Sequence, residues 1–303
     1  MKITAVVLTF NEELHIGRCI SSLMRVTDRI LIVDSYSTDK TVELATASGA
    51  RVIQHAFINH AQQFNWALEH LNEDDEWVFR VDADEYLDDA LVDAIQMHLA
   101  QDATVDGYYV QRRLIFQGRD IRHGMVYPVN ILRLFRRGKG TCIERWMDEH
   151  IQVTGATSVL SGTLFDHNLQ PLTWWTAKHN RYASLEAIEQ LDQKYHFLRN
   201  ENAPQPEERL TVSLKRWAKH HLYGALPPGA RAFVYFLFRY IIALGFLDGR
   251  EGTTFHVLQG FWYRYLVDAK AAEVERYIRD TNCDIQTAIQ NVLQITVSTA
   301  PRD

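Results

Sequence analysis

The sequence predicts an α/β protein: a doubly wound, mostly parallel sheet over residues 1–199, followed by a helical, aromatic-rich region over residues 200–303. Three features carry this expectation. Apolar runs of strand length alternate with helically spaced segments through the first hundred residues. The runs are apolar at consecutive positions, as in strands covered on both faces. Polar, acid-rich segments follow the first, second and fourth runs, and parallel sheets bind ligands beyond the carboxyl ends of their strands.

Ile3 to Leu8 reads as the first strand. Glu13 to Leu23 has helical spacing, with Leu14, Ile16 or Cys19, Ile20 and Leu23 on one side. Ile30 to Val33 is the second strand; Ser37 or Thr38 caps a helix through Ala47, and Gly49 ends it. Arg51 to Ile53 is a short third strand, Ala61 to Leu71 a helix and Glu76 to Val81 the fourth strand, after which Asp88 opens a helix through Leu99. This βαβαβαβ order implies the doubly wound sheet. From Gly107 to Ile151 the pattern changes. The alternation of Gly107 to Arg113 and the run Asn130 to Phe135 predict mixed or antiparallel pairing there. Leu172 to Leu191 is helical, and Pro204 and Pro206 mark Asn200 to Glu208 as a linker or exposed loop. Leu210 to Tyr223, Ala230 to Leu244 and Thr254 to Arg279 read as helices, with Pro227-Pro228-Gly229 between the first two.

With 47% hydrophobic and 23% charged residues, the 303-residue chain can bury a sizeable core. Its formal net charge of −6 argues against a generic nucleic-acid binder. Cys19, Cys142 and Cys283 are far apart and lack metal-ligand spacing, which favours reduced cytosolic thiols over a disulfide framework. The apolar run at the N-terminus is too short for a signal-peptide core and ends at Asn11, Glu12 and Glu13. No stretch reaches the roughly 20 apolar residues of a membrane span; the longest, Ala232 to Leu247, is broken by Arg239.

Three segments carry candidate chemistry. Asp82-Ala83-Asp84-Glu85 follows the fourth strand, and carboxylates on a strand-end turn suit a hard divalent cation, Mg²⁺ or Mn²⁺, that keeps phosphate and water among its ligands. Asp34-Ser35-Tyr36-Ser37-Thr38-Asp39 follows the second strand; Asp34 is able to accept hydrogen bonds from a nucleobase or ribose, or the segment is a turn and helix cap. Thr9-Phe10-Asn11-Glu12-Glu13 follows the first strand and offers either a base-binding edge or a helix start.

In this order, with Lys40-Thr41 completing the second segment, the three resemble the family 2 glycosyltransferases, which have the Rossmann-like GT-A fold. Within that family the chain looks most like bacterial enzymes of lipopolysaccharide-core and surface-polysaccharide assembly. The resemblance implies a nucleotide-binding part over about residues 1–100 and an acceptor part over about 101–199. It implies that Thr9, Asn11, Glu12 and Asp34 line the nucleoside pocket, that Asp82 approaches the ribose or the metal, and that Asp84 binds the metal directly. Asn65 stands where the family often places a nucleotide-facing asparagine. The donor implied is a nucleotide-diphosphate sugar, UDP-hexose by default. An inverting member also needs a general base, which Arg145-Trp146-Met147-Asp148-Glu149-His150 supplies as Glu149, with Asp148 the neighbouring choice. His167, in Asp166-His167-Asn168, is a candidate metal or phosphate ligand, as a histidine after the base motif is in some GT-A enzymes.

Lys178 and Arg181 share a helix face and suit a diphosphate or an anionic acceptor, or a solvated surface. The aromatic stretches Ala232 to Ile242 and Phe261 to Leu266, beside Arg231, Arg239, Arg250 and Arg264, suit helices in a membrane interface. The expected partners are therefore a nucleotide sugar, a glycan or glycolipid acceptor and a peripheral membrane contact, at the cytoplasmic face of the inner membrane. Two other readings compete. A sugar-nucleotide pyrophosphorylase would carry a Gly-rich basic loop after the first strand, which Thr9 to Glu13 lacks. A non-catalytic membrane-associated scaffold would have no need of Asp82, Asp84 and the Asp148-Glu149 pair together.

Overall fold

A computed structural model of the chain describes residues 2–100, 104–143, 150–197 and 229–297. It divides into two compact units: Met1–Pro171 with Leu247–Gly252, and the described residues of Leu172–Phe246 with Thr253–Asp303.

The first unit contains the strands β1 (Ile3–Thr9), β2 (Ile30–Asp34), β3 (Arg51–Gln54), β4 (Trp77–Asp82), β5 (Glu85–Leu87), β6 (Gly107–Phe116), β7 (Arg119–Ile121), β8 (Val129–Arg136), β9 (Gly140–Ile143), β10 (His150–Val153) and β11 (Thr157–His167). Its helices are α1 (Ile16–Leu23), α2 (Thr41–Ala47), α3 (His60–Glu69) and α4 (Asp89–Ala100). A nine-stranded sheet runs β3-β2-β1-β4-β8-β6-β11-β5, with β7 paired to β6. The quartet β3-β2-β1-β4 is parallel throughout. Beyond it β8 is antiparallel to both β4 and β6, β11 is parallel to β6, and β5 is antiparallel to β11. The change of direction begins where the alternating pattern after Gly107 predicts mixed pairing.

Strand β1 shows why the quartet forms. Its side chains alternate across the sheet. Ile3, Ala5 and Val7 enter one buried cluster with Ile20 and Leu23 of α1 and Ile95 of α4. Val6 enters another with Val33 of β2 and Phe64 of α3, and Leu8 packs against it. Each fully buried aliphatic side chain contributes about 1.5–3 kcal/mol, so burial on both faces holds this strand at the centre. Register then aligns the strand ends: Thr9 pairs with Asp34, and Leu8 with Asp82.

Several helix starts differ from expectation. Helix α1 begins at Ile16 rather than Glu13, because Glu12 to His15 forms a turn in which the Glu12 carbonyl accepts both His15 N and Ile16 N at 2.9 Å. Helix α2 is not capped by Ser37 or Thr38. The Asp39 carboxylate accepts Thr41 N at 2.9 Å, while the Ser37 hydroxyl accepts Asn11 N at 2.8 Å. Asn59 caps α3 by accepting Gln62 N at 2.8 Å. Gly49 follows α2 with φ +83°, a left-handed conformation that suits glycine at a helix end.

The second unit is helical: α5 (Leu172–Tyr195), α6 (Ala230–Leu237), α8 (Tyr263–Thr281) and α9 (Ile285–Leu293). Between α6 and α8 the chain passes through a π-helical turn (Phe238–Ile242), a 3₁₀ turn (Gly245–Asp248), helix α7 (Gly249–Phe255) and a second π-helical stretch (His256–Trp262). The boundary between units falls at Pro171, not at residue 199, because α5 shares a core with α8. Ala183, Ala187, Ile188 and Leu191 pack there with Tyr263, Val267, Ala271 and Val274. The short return to the first unit rests on Asp248, which is buried and accepts Arg122 N at 3.2 Å and His123 N at 2.9 Å. Among the described residues, no single helix is long and apolar enough to cross a membrane. The helix expected over Leu210 to Tyr223 and the loop expected over Asn200 to Glu208 lie outside the described residues.

Candidate active site

The aligned ends of β1, β2 and β4 bring Thr9, Asp34 and Asp82 to one sheet edge. Asp34 is fully buried there and its hydrogen bonding is rich. Oδ1 accepts Thr9 Oγ1 at 3.0 Å and the Ser37 hydroxyl, and Oδ2 accepts Ser37 N at 2.8 Å and Gln54 Nε2 at 3.1 Å. A buried carboxylate needs such partners to offset its lost hydration. Asn11, at φ +57°, links the two loops: its Oδ1 accepts Thr38 N at 2.8 Å. Glu12 N donates to Thr41 Oγ1 at 2.7 Å, and Glu12 Oε2 lies 2.6 Å from Nδ1 of the buried His15. His15 Nε2 accepts Leu169 N at 2.8 Å, so Nδ1 carries the proton that Glu12 accepts. Phe10 and Tyr36 stand exposed on these same loops.

The two aspartates of the Asp82-Ala83-Asp84 turn have different surroundings. Asp82 Oδ2 accepts Arg133 Nη2 at 2.6 Å, and Arg80 Nε lies 3.8 Å from Oδ1. The same Arg133 Nη2 donates to Glu85 Oε1 at 2.8 Å, and Glu85 Oε2 accepts Asp82 N at 2.8 Å. Asp82 keeps 41% of its side-chain surface open, whereas Glu85 keeps 1%. Burial pushes the Asp82 carboxyl up, but Arg133 and then Arg80 overcome it and hold the group well below the usual carboxylate range. For Glu85, burial dominates and pushes the carboxyl up; Arg133 opposes this, and the Asp82 and Asp166 charges add to it. Beneath the turn the buried Cys19 thiol is also pushed up, by burial first and then by Glu85, Asp84 and Asp82, which leaves it a poor nucleophile.

Asp84 Oδ2 accepts Asn168 Nδ2 at 2.9 Å; its other oxygen takes no hydrogen bond among the described residues. That oxygen is a hard donor of the kind Mg²⁺ and Mn²⁺ prefer. Arg133 holds both Asp82 oxygens, at 2.6 and 3.4 Å. The side chains therefore fit a divalent ion held directly by one carboxylate, with Asp82 beside it. Among the described residues no three His, Cys, Asp or Glu side chains converge on one point. His167 adjoins Asp84 through its backbone N, which donates to the Asp84 carbonyl at 3.1 Å. Burial and the Arg18 guanidinium push its imidazole below the ordinary histidine value.

Other expected site residues are placed differently. The Asn65 amide makes a two-bond clamp to β9, donating to Cys142 O and accepting Cys142 N, each at 2.9 Å. This anchors α3 to strand β9 of the β9–β10 pair. Lys178 and Arg181 belong to the second unit, where Lys178 Nζ lies 4.7 Å from the centre of the Trp174 ring. Asp148 and Glu149 lie outside the described residues, and their described neighbours Ile143 and His150 are paired between β9 and β10.

Arg133, Arg80, Arg18 and His15 were not among the expected site residues. Two of them carry a sequence signal. Arg80 interrupts Trp77-Val78-Phe79-Arg80-Val81 and Arg133 interrupts Ile131-Leu132-Arg133-Leu134-Phe135. A lone charge in an otherwise apolar strand must find a buried partner.

The sequence model for glycosyl transferase family 2 matches residues 4–166, which is more than half of the 303-residue chain and runs from β1 into β11. The chain belongs to glycosyl transferase family 2. The lipopolysaccharide core biosynthesis glycosyltransferase LpsC of Rhizobium meliloti (strain 1021) is 32% identical over 199 residues, covering 63% of this chain and 73% of that protein. An uncharacterized glycosyltransferase of Rickettsia typhi is 34% identical over 140 residues, 45% of this chain and only 47% of that protein, so the match spans about half of the relative. Among solved structures, the mannosyltransferase PcManGT from Pyrobaculum calidifontis, in complex with GDP-Man and Mn²⁺, aligns over 89% of this chain and 87% of its own, with a TM-score of 0.51 and 17% identity. That likeness concerns the fold. This family 2 glycosyltransferase thus has the GT-A fold with a helical C-terminal region.

Proposed function

We propose that this glycosyltransferase is a metal-dependent, inverting enzyme that transfers a hexose from a UDP-sugar to a hydroxyl of a growing glycan or lipid-linked acceptor. The observation that carries the reading is the alignment of Asp34 and Asp82 along one strand edge, with Asp84 in the turn that follows and Phe10 and Tyr36 exposed on the neighbouring loops. Thr9, Asn11, Glu12 and Asp34 form the nucleoside side, where an exposed ring suits a stacked base. Asp84 is the direct metal ligand, and Asp82, held by Arg133, stands toward the ribose. A bound Mg²⁺ or Mn²⁺ supplies charge stabilisation to the departing diphosphate. Asn65, clamped to Cys142, shapes the wall of the nucleotide half.

Transfer is a single displacement. Glu149, or Asp148 beside it, takes the proton of the acceptor hydroxyl. The hydroxyl oxygen forms its bond to the anomeric carbon as the bond from that carbon to the diphosphate oxygen breaks, and the bonding pair leaves with the nucleotide. Glu149→Gln is expected to retain nucleotide binding and to lose transfer by about 10²- to 10⁴-fold, the usual worth of a general base. If Asp148→Asn shows that pattern and Glu149→Gln does not, the base is Asp148.

The lipopolysaccharide-core role of the LpsC relative supports a lipopolysaccharide-core acceptor, which would place the enzyme at the cytoplasmic face of the inner membrane. The second unit supports peripheral contact there. Its segment from Phe233 to Phe246 turns its charge inward and its hydrocarbon outward: Arg239 is 7% exposed and Ile242 is 69% exposed. Phe233, Phe238, Ile241, Leu244 and Phe246 are exposed as well. Wild-type protein is expected to float with liposomes of bacterial lipid composition, and the Ile241→Glu, Ile242→Glu variant to remain in the soluble fraction. Equal flotation of both would remove this segment from the membrane contact.

The direct test of the donor site is calorimetric titration with UDP, GDP, dTDP and CDP, with and without Mn²⁺. Metal-dependent binding of UDP is the expected result. Metal-dependent binding with no transfer to any acceptor glycan would favour a scaffold instead.

A further inference from the structure

The Asp34 carboxylate has no acceptor position left for a nucleobase. A carboxylate offers about four lone-pair sites. Four donors fill them in Asp34: the Thr9 and Ser37 hydroxyls on Oδ1, and Ser37 N and Gln54 Nε2 on Oδ2. The residue is also fully buried. Three of its donors come from Thr9 and Ser37. The fourth comes from the neighbouring strand, where Gln54 is the last residue of β3, pairs in register with Asp34, and is exposed.

The orientation of the Gln54 carboxamide follows from chemistry. A carboxylate has no hydrogen to give, so the group turned toward Asp34 is the NH2, and Oε1 points away from it. Among the described residues Oε1 takes no hydrogen bond. The backbone beneath it is pinned as well. His55 N donates to the Asp34 carbonyl at 3.0 Å, and Gln63 Nε2 donates to the His55 carbonyl at 3.1 Å and to Ser35 Oγ at 3.2 Å. An acceptor held in this way stands at the carboxyl end of the parallel quartet, where such sheets bind ligands, next to the loop that carries the exposed Tyr36.

We propose that Gln54 reads the base of the donor and that Asp34 is the positioning residue that fixes its carboxamide with Oε1 outward, so that the site takes nucleotides whose base carries a ring N–H. The proposal rests on the donor-site reading above. Uracil, thymine and guanine each have a ring N–H on the pairing edge, which Oε1 accepts. Cytosine and adenine present a bare ring nitrogen there, and two acceptors would face each other. Asp34 thus acts on the base through Gln54 and does not touch it.

Calorimetry on the full chain with UDP, dTDP, GDP, CDP and ADP in Mn²⁺ tests the assignment. The wild type is expected to bind one of the first three at least about tenfold more tightly than CDP or ADP, the discrimination that a well-placed base contact gives. Gln54→Leu is expected to shrink that preference to within about threefold, through weaker binding of the preferred nucleotide. Residue 54 is exposed, so the variant should keep the fold, which circular dichroism checks. Asp34→Asn, whose amide turns either atom toward Gln54, is expected to narrow the preference as well, and to change it no further in the Gln54→Leu background. A merely structural role for Asp34 would lower all five affinities together and leave their ratios alone, which overturns the positioning role. Tighter binding in Gln54→Leu would mean that Gln54 competes with the base for Asp34, and an unchanged preference would put the base elsewhere; either result overturns the proposal. Metal-dependent binding with no selection against CDP and ADP overturns the base assignment and leaves the donor site standing. A wild type that binds none of the five overturns the donor-site reading, and the base assignment with it.

Discussion

Asp84→Ala is expected to abolish metal-dependent binding of a nucleotide diphosphate while leaving the fold intact. The carboxylate has one side-chain hydrogen bond among the described residues, to Asn168, so its removal disturbs little packing. As the proposed inner ligand, it matters far more to the ion. Even outer-shell partners of metal ligands are worth roughly 10- to 100-fold in affinity or activity, so loss of an inner oxygen should reach at least the upper end of that range. Calorimetry with UDP and Mn²⁺ measures the affinity, and circular dichroism checks the fold. Unchanged Mn²⁺-dependent affinity would take Asp84 out of the metal site.

Arg133→Met is expected to act on stability first. Arg133 is buried and bonds to both Asp82 and Glu85. Breaking a fully buried pair by removing one partner costs about 3–5 kcal/mol; Asp82 keeps 41% of its side-chain surface open, so solvent screens the charge left behind and the cost should fall below that range. Urea unfolding should show a lower midpoint at neutral pH. The pH dependence has a definite sign. Arg133 helps to hold Asp82 below the ordinary aspartate value of 3.8, so this contribution is present above that value and is lost as pH falls. The difference between wild type and variant should therefore narrow on acidification below pH 3.8. A constant difference down to acid pH would mean that Arg133 acts through packing rather than charge.

Much of the fold was legible because the parallel quartet is a hydrophobic pattern. The runs Ile3 to Leu8 and Ile30 to Val33 have little choice but to be buried strands, and the turn residues after them fall at the sheet edge. Helix starts were less legible. Ser37, Thr38 and Asp39 are all competent caps, and the choice among them depended on Asn11, more than 20 residues away, which claims Ser37 and Thr38. The domain boundary was hidden for a similar reason: α5 is nearly uniform in polarity, and its place is set by Tyr263, Val267 and Ala271 far along the chain. At the site, local sequence identified the acids but not their counter-ions. Arg133 comes from an antiparallel strand added beyond the quartet, so only tertiary pairing brings it to Asp82. Asn65 shows the opposite case, a plausible ligand whose amide is engaged by the backbone of Cys142.

The alternation along β1 has one more consequence. A slip of one residue would turn every side chain of the strand to the other face, and here both faces are oily and differently shaped. Ala5 and Val7 would enter the layer built around Phe64, and Val6 the layer built around Ile20 and Leu23. The pairing of Thr9 with Asp34 and of Leu8 with Asp82 is thus guarded twice, by two independent templates of hydrocarbon. The precision of a polar edge is inherited from residues that never meet water, and conservative changes deep in β1 should blur substrate recognition before they unfold the protein.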